Sequence, residues 1–282
     1  MPKMNAEIEK HIQLSINEDI GSGDHSALAS IPRNAESSAE LIIKENGVLS
    51  GVEIAKTVFH LIDSKLEFQQ LLKDGTPISK GEIAFRISGS SQSILRGERL
   101  ALNYMQRMSG IATTTKLYVD KITGLKSKIL DTRKTTPGMR KFEKMAVLHG
   151  GGLNHRFGLY DMIMLKDNHI DYAGGIDKAM NATENYLKAN NLNLKVEVEA
   201  RDLNEVQQIL TNGKADRIMF DNFNYADTKT GIGMVGERME TESSGGITLD
   251  TIRGYAECGV DFISVGALTH QIQSLDMSLK AI

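Results

Sequence analysis

LKVEVEARDLNEVQQILTNGKADRIMFD, residues 194–221, decides the fold. A short apolar strand (194–199) is followed by a segment of helical character (202–212) and a second short apolar strand (217–221). When strands that read as near-continuous apolar runs alternate with helices, they pair in parallel inside a buried sheet. Each strand closes on an acid, Glu199 in one and Asp221 in the other.

The unit recurs on both sides. Residues 127–131 (SKILD), 161–166 (DMIMLK), 238–243 (RMETES) and 261–266 (DFISVG) read as further strands, and 174–190 as another helix. Six such units in about 150 residues predict an α/β barrel of reduced strand number rather than an eight-stranded one. A parallel barrel gathers its strands' C-terminal ends on one face, where its active sites lie. Here those ends are Asp131-Thr132-Arg133-Lys134, Lys166-Asp167-Asn168-His169, Glu199, Asp221-Asn222, Ser243-Ser244-Gly245-Gly246 and Gly266. Contact with solvent explains any one polar end. It explains poorly why a Lys, a Glu and an Asp each close an apolar run.

Before about residue 110 the elements mix irregularly, as in an α+β domain. Residues 4–17 read as a helix and 18–27 as a polar loop. Residues 38–50 read as two strands around Glu45-Asn46-Gly47, where Asn-Gly favours a tight hairpin. Residues 51–63 have helical periodicity, 66–72 and 82–88 are strand-like, and 91–123 read as two helices joined at Ser109-Gly110. Domains are expected at 1–110 and 111–270, with 271–282 free to pack back on the first.

Composition narrows the function. The 282 residues are 40% hydrophobic and 24% charged, with a net charge of −3. Residues 131–170 run against that balance: seven Lys/Arg face four acids, and His149, His155 and His169 join them. A compact cationic site in an acidic chain suits a small anionic substrate, not a nucleic acid, which needs a broad basic surface. Trp is absent, which argues against stacking platforms. Cys258 is the only cysteine; it reads as a small buried residue, and thiolate metal clusters are excluded. The first residues read as no signal peptide, and no apolar stretch is long enough to span a bilayer. A cytoplasmic protein is expected.

Ser244-Gly245-Gly246 precedes a helix expected to start near Thr248-Leu249-Asp250, and Val265-Gly266-Ala267 makes a similar turn one unit later. Such turns hold phosphates through backbone N–H groups, and together they point to a sugar 5-phosphate. Glu199 and Asp221 can hold Mg2+, directly or through water, or face ribose hydroxyls and a developing cation; they can equally neutralise Lys166 and Arg133. Glu197 shares the face of Glu199. Arg133, His155, Arg156 and Lys166 can bind carboxylates or phosphates. Arg140, Lys141 and Lys144 read as a solvated face, His149 and His169 as structural histidines, and Gly150-Gly151-Gly152 as a flexible approach loop. On the preceding helix Arg96, Arg99, Asn103 and Arg107 share one face, which is either solvated or closes an anion site across a boundary.

EDIGSGD (18–24), ERLALNYMQRMSGIAT (98–113), DTRKTTPGMRKFEKMAVLHGGGLNHRFGLYDMIMLKDNHI (131–170), KVEVEA (195–200), MFDNF (219–223), ESSGGI (242–247) and VGALTH (265–270) resemble, in order, the quinolinate phosphoribosyltransferase family. The departures are the 224–240 segment and MFDNF, where the family often has LLDNF. The resemblance implies an α/β protein with an N-terminal open α/β sandwich and a C-terminal incomplete, six-strand type α/β barrel. It implies a nicotinate-nucleotide diphosphorylase (carboxylating), a pentosyltransferase, with quinolinate and phosphoribosyl pyrophosphate as substrates and Mg2+ as cofactor. It implies a homodimer in which Arg99 completes the partner's site, with a higher oligomer left open. By the same resemblance Arg133, His155 and Arg156 bind quinolinate, and Thr132 belongs to the substrate site. Lys134 and Lys166 meet substrate anions near the reacting centre. Glu199 and Asp221 surround Mg2+ and ribose, and these two acids with the two lysines form the catalytic group. Ser244, Gly245, Gly246, Val265, Gly266 and Ala267 cradle the 5-phosphate.

Three rivals have distinct signatures. A transferase acting on nicotinate or another heterocyclic base needs fewer cations. An isomerase or aldolase needs Lys166 as a Schiff-base lysine in an apolar pocket. A binding protein would bind without turnover and leave the paired acids unexplained.

Overall fold

The computed structural model describes residues 6–282, which form two compact units. The first comprises the chain up to Lys116, Pro137–Gly151 and Gln271–Ile282; the second comprises Leu117–Thr136 and Gly152–His270. In chain order the first unit begins α1 (Ala6–Ile20), α2 (His25–Ser30), β1 (Glu36–Ile43), β2 (Gly47–Val48), α3 (Val52–Ile62), β3 (Glu67–Gln70), β4 (Pro77–Ile78) and β5 (Ile83–Ser90). Then come α4 (Ser91–Lys121), β6 (Lys128–Leu130) and α5 (Arg140–His149), followed by β7 (Ile163–Leu165), α6 (Asp167–Ala173), α7 (Ile176–Ala189) and β8 (Val196–Ala200). The remainder is α8 (Leu203–Asn212), β9 (Arg217–Asp221), α9 (Tyr225–Val235), β10 (Glu240–Ser244), α10 (Ile252–Cys258), β11 (Phe262–Ser264), α11 (Ala267–His270) and β12 (Met277–Ala281).

In the first unit an antiparallel sheet runs β12-β1-β5-β3. Ala39, Leu41 and Ile43 alternate on the buried face of β1, as period-2 pleating requires. Phe59 of α3 packs on Phe68 and Phe85, so one face is covered by helices and the sandwich is open. In α1, Ile8, Ile12 and Ile16 form the buried stripe; residues 4 and 5 of the expected helix lie outside the described residues.

Three expectations fail here for physical reasons. The polar stretch 18–27 is not all loop: Asp24 caps α2, its carboxylate accepting from Ala27 N at 3.0 Å. The Asn46-Gly47 hairpin does not form. A tight type I′ turn needs positive φ at both positions, and neither has it. Instead β2 pairs with β4, and a Cβ on Gly47 would sit 2.6 Å from Leu275 Cδ1, so this glycine serves close packing. Residues 91–121 are one helix of 31 residues. Ser109 stays helical because its Oγ donates to Ser50 O and accepts from Ser50 N. At Gly110 a Cβ would overlap the carbonyl oxygen of Gln273, so the pair marks a close approach, not a break.

In the second unit six parallel strands run in the order β6-β11-β10-β9-β8-β7. Beyond β6 the sheet continues only as a parallel bridge between Leu130 and Leu153, which makes this an incomplete, six-strand barrel. In β8 every residue is buried. Val196 and Val198 alternate with Glu197 and Glu199, so the two acids point to one side and the two valines to the other. The helix expected near Thr248 starts at Ile252, leaving Gly245-Gly246 as a free-standing turn. At the end of the first unit's α5, Gly150-Gly151 is a pinned turn rather than a flexible loop: Gly150 N donates to Ala146 O and Gly151 N to Leu148 O. Cys258 is half-buried, its thiol donating to Gly254 O at 3.1 Å.

Candidate active site

At the ends of β7, β8 and β9 the barrel sets three charges. Lys166 follows β7, and its N–H donates to His169 Nδ1 at 3.0 Å, so His169 closes the turn into α6. Lys166 Nζ donates to Glu199 Oε2 at 2.7 Å. Burial pushes the Glu199 carboxyl up, Lys166 pulls it down, and the charge of Asp221 pushes it up again. The register explains this: β8 and β9 place Glu199 opposite Met219, two residues before Asp221. Two carboxylates close enough to repel, with Lys166 on only one oxygen, are a hard-oxygen donor set that fits Mg2+.

Asn222 is a residue the sequence reading left without a role. Its backbone is left-handed at φ 57°, a conformation Asn tolerates better than most residues. There its N–H donates to Ser244 O at 2.9 Å and its side chain donates to Asp221 Oδ2 at 2.7 Å. It orients the acid and ties β9 to β10. An Asn directly after a strand-end acid was the available signal.

A cationic corner stands on β6. Asp131 is fully buried and accepts from His155 N at 2.8 Å, which joins DTRK to NHR. Thr132 Oγ1 accepts from Lys134 N at 3.0 Å, and Arg133 and Lys134 are exposed. Arg156 is half-buried, with Nη1 donating to Met162 O at 3.2 Å. Its pKa falls through burial and then through the charge of Arg133. Two guanidiniums that oppose each other are a place for an anion.

His155 lies deeper than an open binding residue would, its side chain 4% exposed. Nδ1 accepts from Arg156 N at 2.6 Å. Nε2 lies 3.0 Å from Glu197 Oε2 and 3.4 Å from Glu242 Oε2. Burial alone would lower its pKa, but the two carboxylates outweigh it and carry the imidazole up to about 9. The Arg156 N–H, which needs the Nδ1 lone pair, works in the other direction.

Ser244 ends β10, and Gly245 and Gly246 follow at φ 96° and 60°. A Cβ on Gly245 would overlap the Asn222 side chain, whereas Gly246 faces open space. One unit on, Val265 is buried, Ala267 opens α11, and a Cβ on Gly266 would sit 2.9 Å from His270 Nε2 and 3.2 Å from Lys134 Cδ. Thr269 Oγ1 donates to Lys134 O at 2.7 Å. The phosphate-type turn and Lys134 are thus neighbours, and His270, overlooked in the sequence, stands beside both.

In the first unit, Arg99 and Asn103 are exposed on α4. Arg107 is paired with buried Glu143 at 2.9 Å, and Arg96 donates to Gln92 O and Ser93 Oγ. The solvated face expected for Arg140, Lys141 and Lys144 is overturned at Lys144, which is 2% exposed because α5 turns that side inward. His149 accepts or donates at Nδ1 with Ser50 Oγ, 2.7 Å away, as a structural histidine.

Comparisons with known proteins identify the family. Residues 24–109 match the family model of the quinolinate phosphoribosyl transferase N-terminal domain, and 111–280 that of the C-terminal domain. The chain is 43% identical over 284 residues to quinolinate phosphoribosyltransferase [decarboxylating] 1b of Nicotiana tabacum, covering 95% of this chain and 81% of that one. It is 41% identical to a probable nicotinate-nucleotide pyrophosphorylase [carboxylating] of Bacillus subtilis, covering 93% and 89%. The crystal structure of NadC from Streptococcus pyogenes superposes with a TM-score of 0.94 at 37% identity, covering 100% of this chain and 99% of that one. The chain belongs to the quinolinate phosphoribosyltransferase family.

Proposed function

We propose that the barrel mouth transfers the phosphoribosyl group of phosphoribosyl pyrophosphate to quinolinate with decarboxylation, giving nicotinate mononucleotide, pyrophosphate and CO2. The observation that carries this reading is the pairing of two opposed guanidiniums, Arg133 and Arg156, with the Lys166–Glu199–Asp221 group on one barrel face. Quinolinate brings two carboxylates to the first, and ribose brings a developing positive charge to the second.

The pyridine nitrogen attacks ribose C1, and pyrophosphate leaves with the bonding pair. Glu199 and Asp221 face the charge that builds on the sugar, while Lys134 and Lys166 face the departing oxygens. Ser244, Gly245, Gly246, Val265, Gly266 and Ala267 hold the 5-phosphate through backbone N–H groups, with His270 beside Gly266, and Thr132 belongs to the substrate site. The ring nitrogen is then cationic and stabilises the electron pair that stays on C2 as CO2 departs, and a proton from solvent adds to that pair. No protein nucleophile is required. Glu199 and Asp221 would hold Mg2+, which supplies charge neutralisation for pyrophosphate.

The same reading makes the enzyme a homodimer in which the exposed Arg99 completes the partner's quinolinate site, with a larger assembly compatible. It puts the enzyme in the cytoplasm, where a chain with the single cysteine Cys258 needs no disulfide-forming environment. Among the described residues no helix is long and apolar enough to cross a membrane. The Schiff-base alternative loses support, because Lys166 sits on a carboxylate with its side chain 43% exposed, not in an apolar pocket.

The test is incubation with quinolinate, phosphoribosyl pyrophosphate and Mg2+, following CO2 and mononucleotide, with nicotinate in parallel. Equal CO2 and mononucleotide from quinolinate is expected. Arg133→Ala should lower kcat/KM by roughly 100-fold, the scale of one lost charge-assisted pair. Turnover of nicotinate alone would move the chain to the rival transferase.

A further inference from the structure

Below the mouth the barrel interior carries a polar layer in which His155, given to quinolinate by the family resemblance, is backed by side chains that the proposed reaction does not use. Its members are His155, Glu197, Arg217, Glu242 and Ser264, none more than 9% exposed. Inward positions of such barrels are ordinarily filled by branched apolar side chains. Here Arg217 Nη1 donates to Glu242 Oε2 at 3.0 Å while its guanidinium lies 4.0 Å from the centre of the Phe262 ring. Nε and Nη2 of Arg217 hold Glu240. Glu242 is therefore clamped from below, and against the effect of burial His155 and Arg217 hold its carboxyl below the usual range. Glu197 and Glu242 together face His155 Nε2, which sits between them and off the ideal line of either.

The other side of that ring reaches the site. Nδ1 accepts from Arg156 N, Asp131 accepts from His155 N, and Arg156 Nη1 donates to Met162 O. The path from Arg217 through Glu242 and the imidazole to the Arg156 main chain is thus continuous. We propose that Glu197 and Glu242 are positioning residues for the anion-binding corner, holding the His155 ring so that it fixes the Arg156 backbone and aims its guanidinium at the substrate's carboxylates. Carboxylates behind a working histidine fix its tautomer and orientation in the same way in metal sites. The cluster could offer three ligand atoms to a metal, but Glu242 Oε2, the oxygen nearest His155, already accepts from Arg217 Nη1.

The proposal rests on quinolinate as substrate, and the experiment separates the two. In Glu242→Gln and Glu197→Gln, which keep volume and hydrogen bonding, KM for quinolinate should rise 10- to 100-fold, the range for lost supporting carboxylates. KM for phosphoribosyl pyrophosphate and kcat should change by less than about threefold. Arg217→Lys, which loses the fork but keeps the charge, should move the same parameter less; it serves if a glutamine variant does not fold. Independently of turnover, the wild-type protein should show a low-field, slowly exchanging His155 Nε2–H resonance in 15N-histidine spectra, shifted or lost in Glu242→Gln and Arg217→Lys. Equal rises in both KM values, a fall in kcat alone, an unchanged resonance, or stoichiometric uptake of a divalent ion at His155 would each overturn it. If wild-type enzyme fails to turn over quinolinate, the substrate reading falls and the resonance alone decides the positioning role.

Discussion

At the residue scale, His155 shows what a single inward side chain carries. Its folded-state pKa is raised to about 9 against an ordinary 6.5, so the folded state binds a proton more tightly than the unfolded chain. The stability this brings is fully present below pH 6.5 and is lost as pH rises through about 9. The shift bounds the effect at about 3 kcal/mol, less what the Arg156 amide takes back at Nδ1. Urea midpoints should therefore fall between pH 7 and 9.5, and fall less in Glu242→Gln, whose imidazole is lifted by one carboxylate fewer. A flat wild-type profile over that range would show that His155 does not carry the charge. The strand-end acids and cations were legible from sequence because each closes an apolar run. The deeper partners were not: Glu242 and Arg217 read as ordinary polar residues of short strands until the register laid Arg217 beside Glu197 and Glu242 beside Met219. Asn222 escaped for another reason, since its backbone conformation, not its side chain alone, brings it onto Asp221.

At the element scale, the parallel strands were readable from their period, and each is observed within three residues of its expected ends. Glycine misled wherever it served packing. Gly47 and Gly110 look like a turn and a break in one dimension, yet both are places where another segment needs the room. This makes Gly110→Ala a test of which effect dominates. Alanine is the better helix former by about 1 kcal/mol, but its Cβ would overlap the Gln273 carbonyl, and overpacking against backbone costs roughly 1–3 kcal/mol. The variant should melt below wild type. A melting temperature equal to or above wild type would mean that 271–275 yields at no cost. The Ser109 pairing with Ser50 is a further signal hidden from sequence, because its partner lies 59 positions away.

At the scale of the whole molecule, the proposed dimer makes a prediction no single chain can satisfy. If Arg99 serves the partner's site, Arg99→Ala and Lys166→Ala homodimers are both inactive, while a mixed dimer holds one intact site. Co-expression in equal amounts should return about a quarter of wild-type activity, since half the dimers are mixed and each has one working site. Absence of recovery in a verified mixed dimer would place Arg99 outside the partner's site.

The order of the chain has a consequence for its synthesis. The first unit's sheet ends on β12, whose Ala281 lies opposite Ala39 of β1, and the whole barrel is made between those two strands. Until the ribosome has delivered it, β1 stands with one row of backbone amides and carbonyls unmatched, a template for any passing extended segment. Sequence-distant pairing of this kind closes slowly. The nascent protein is therefore most exposed to misassembly late in translation, when the barrel is already complete and the older unit still waits for its last strand.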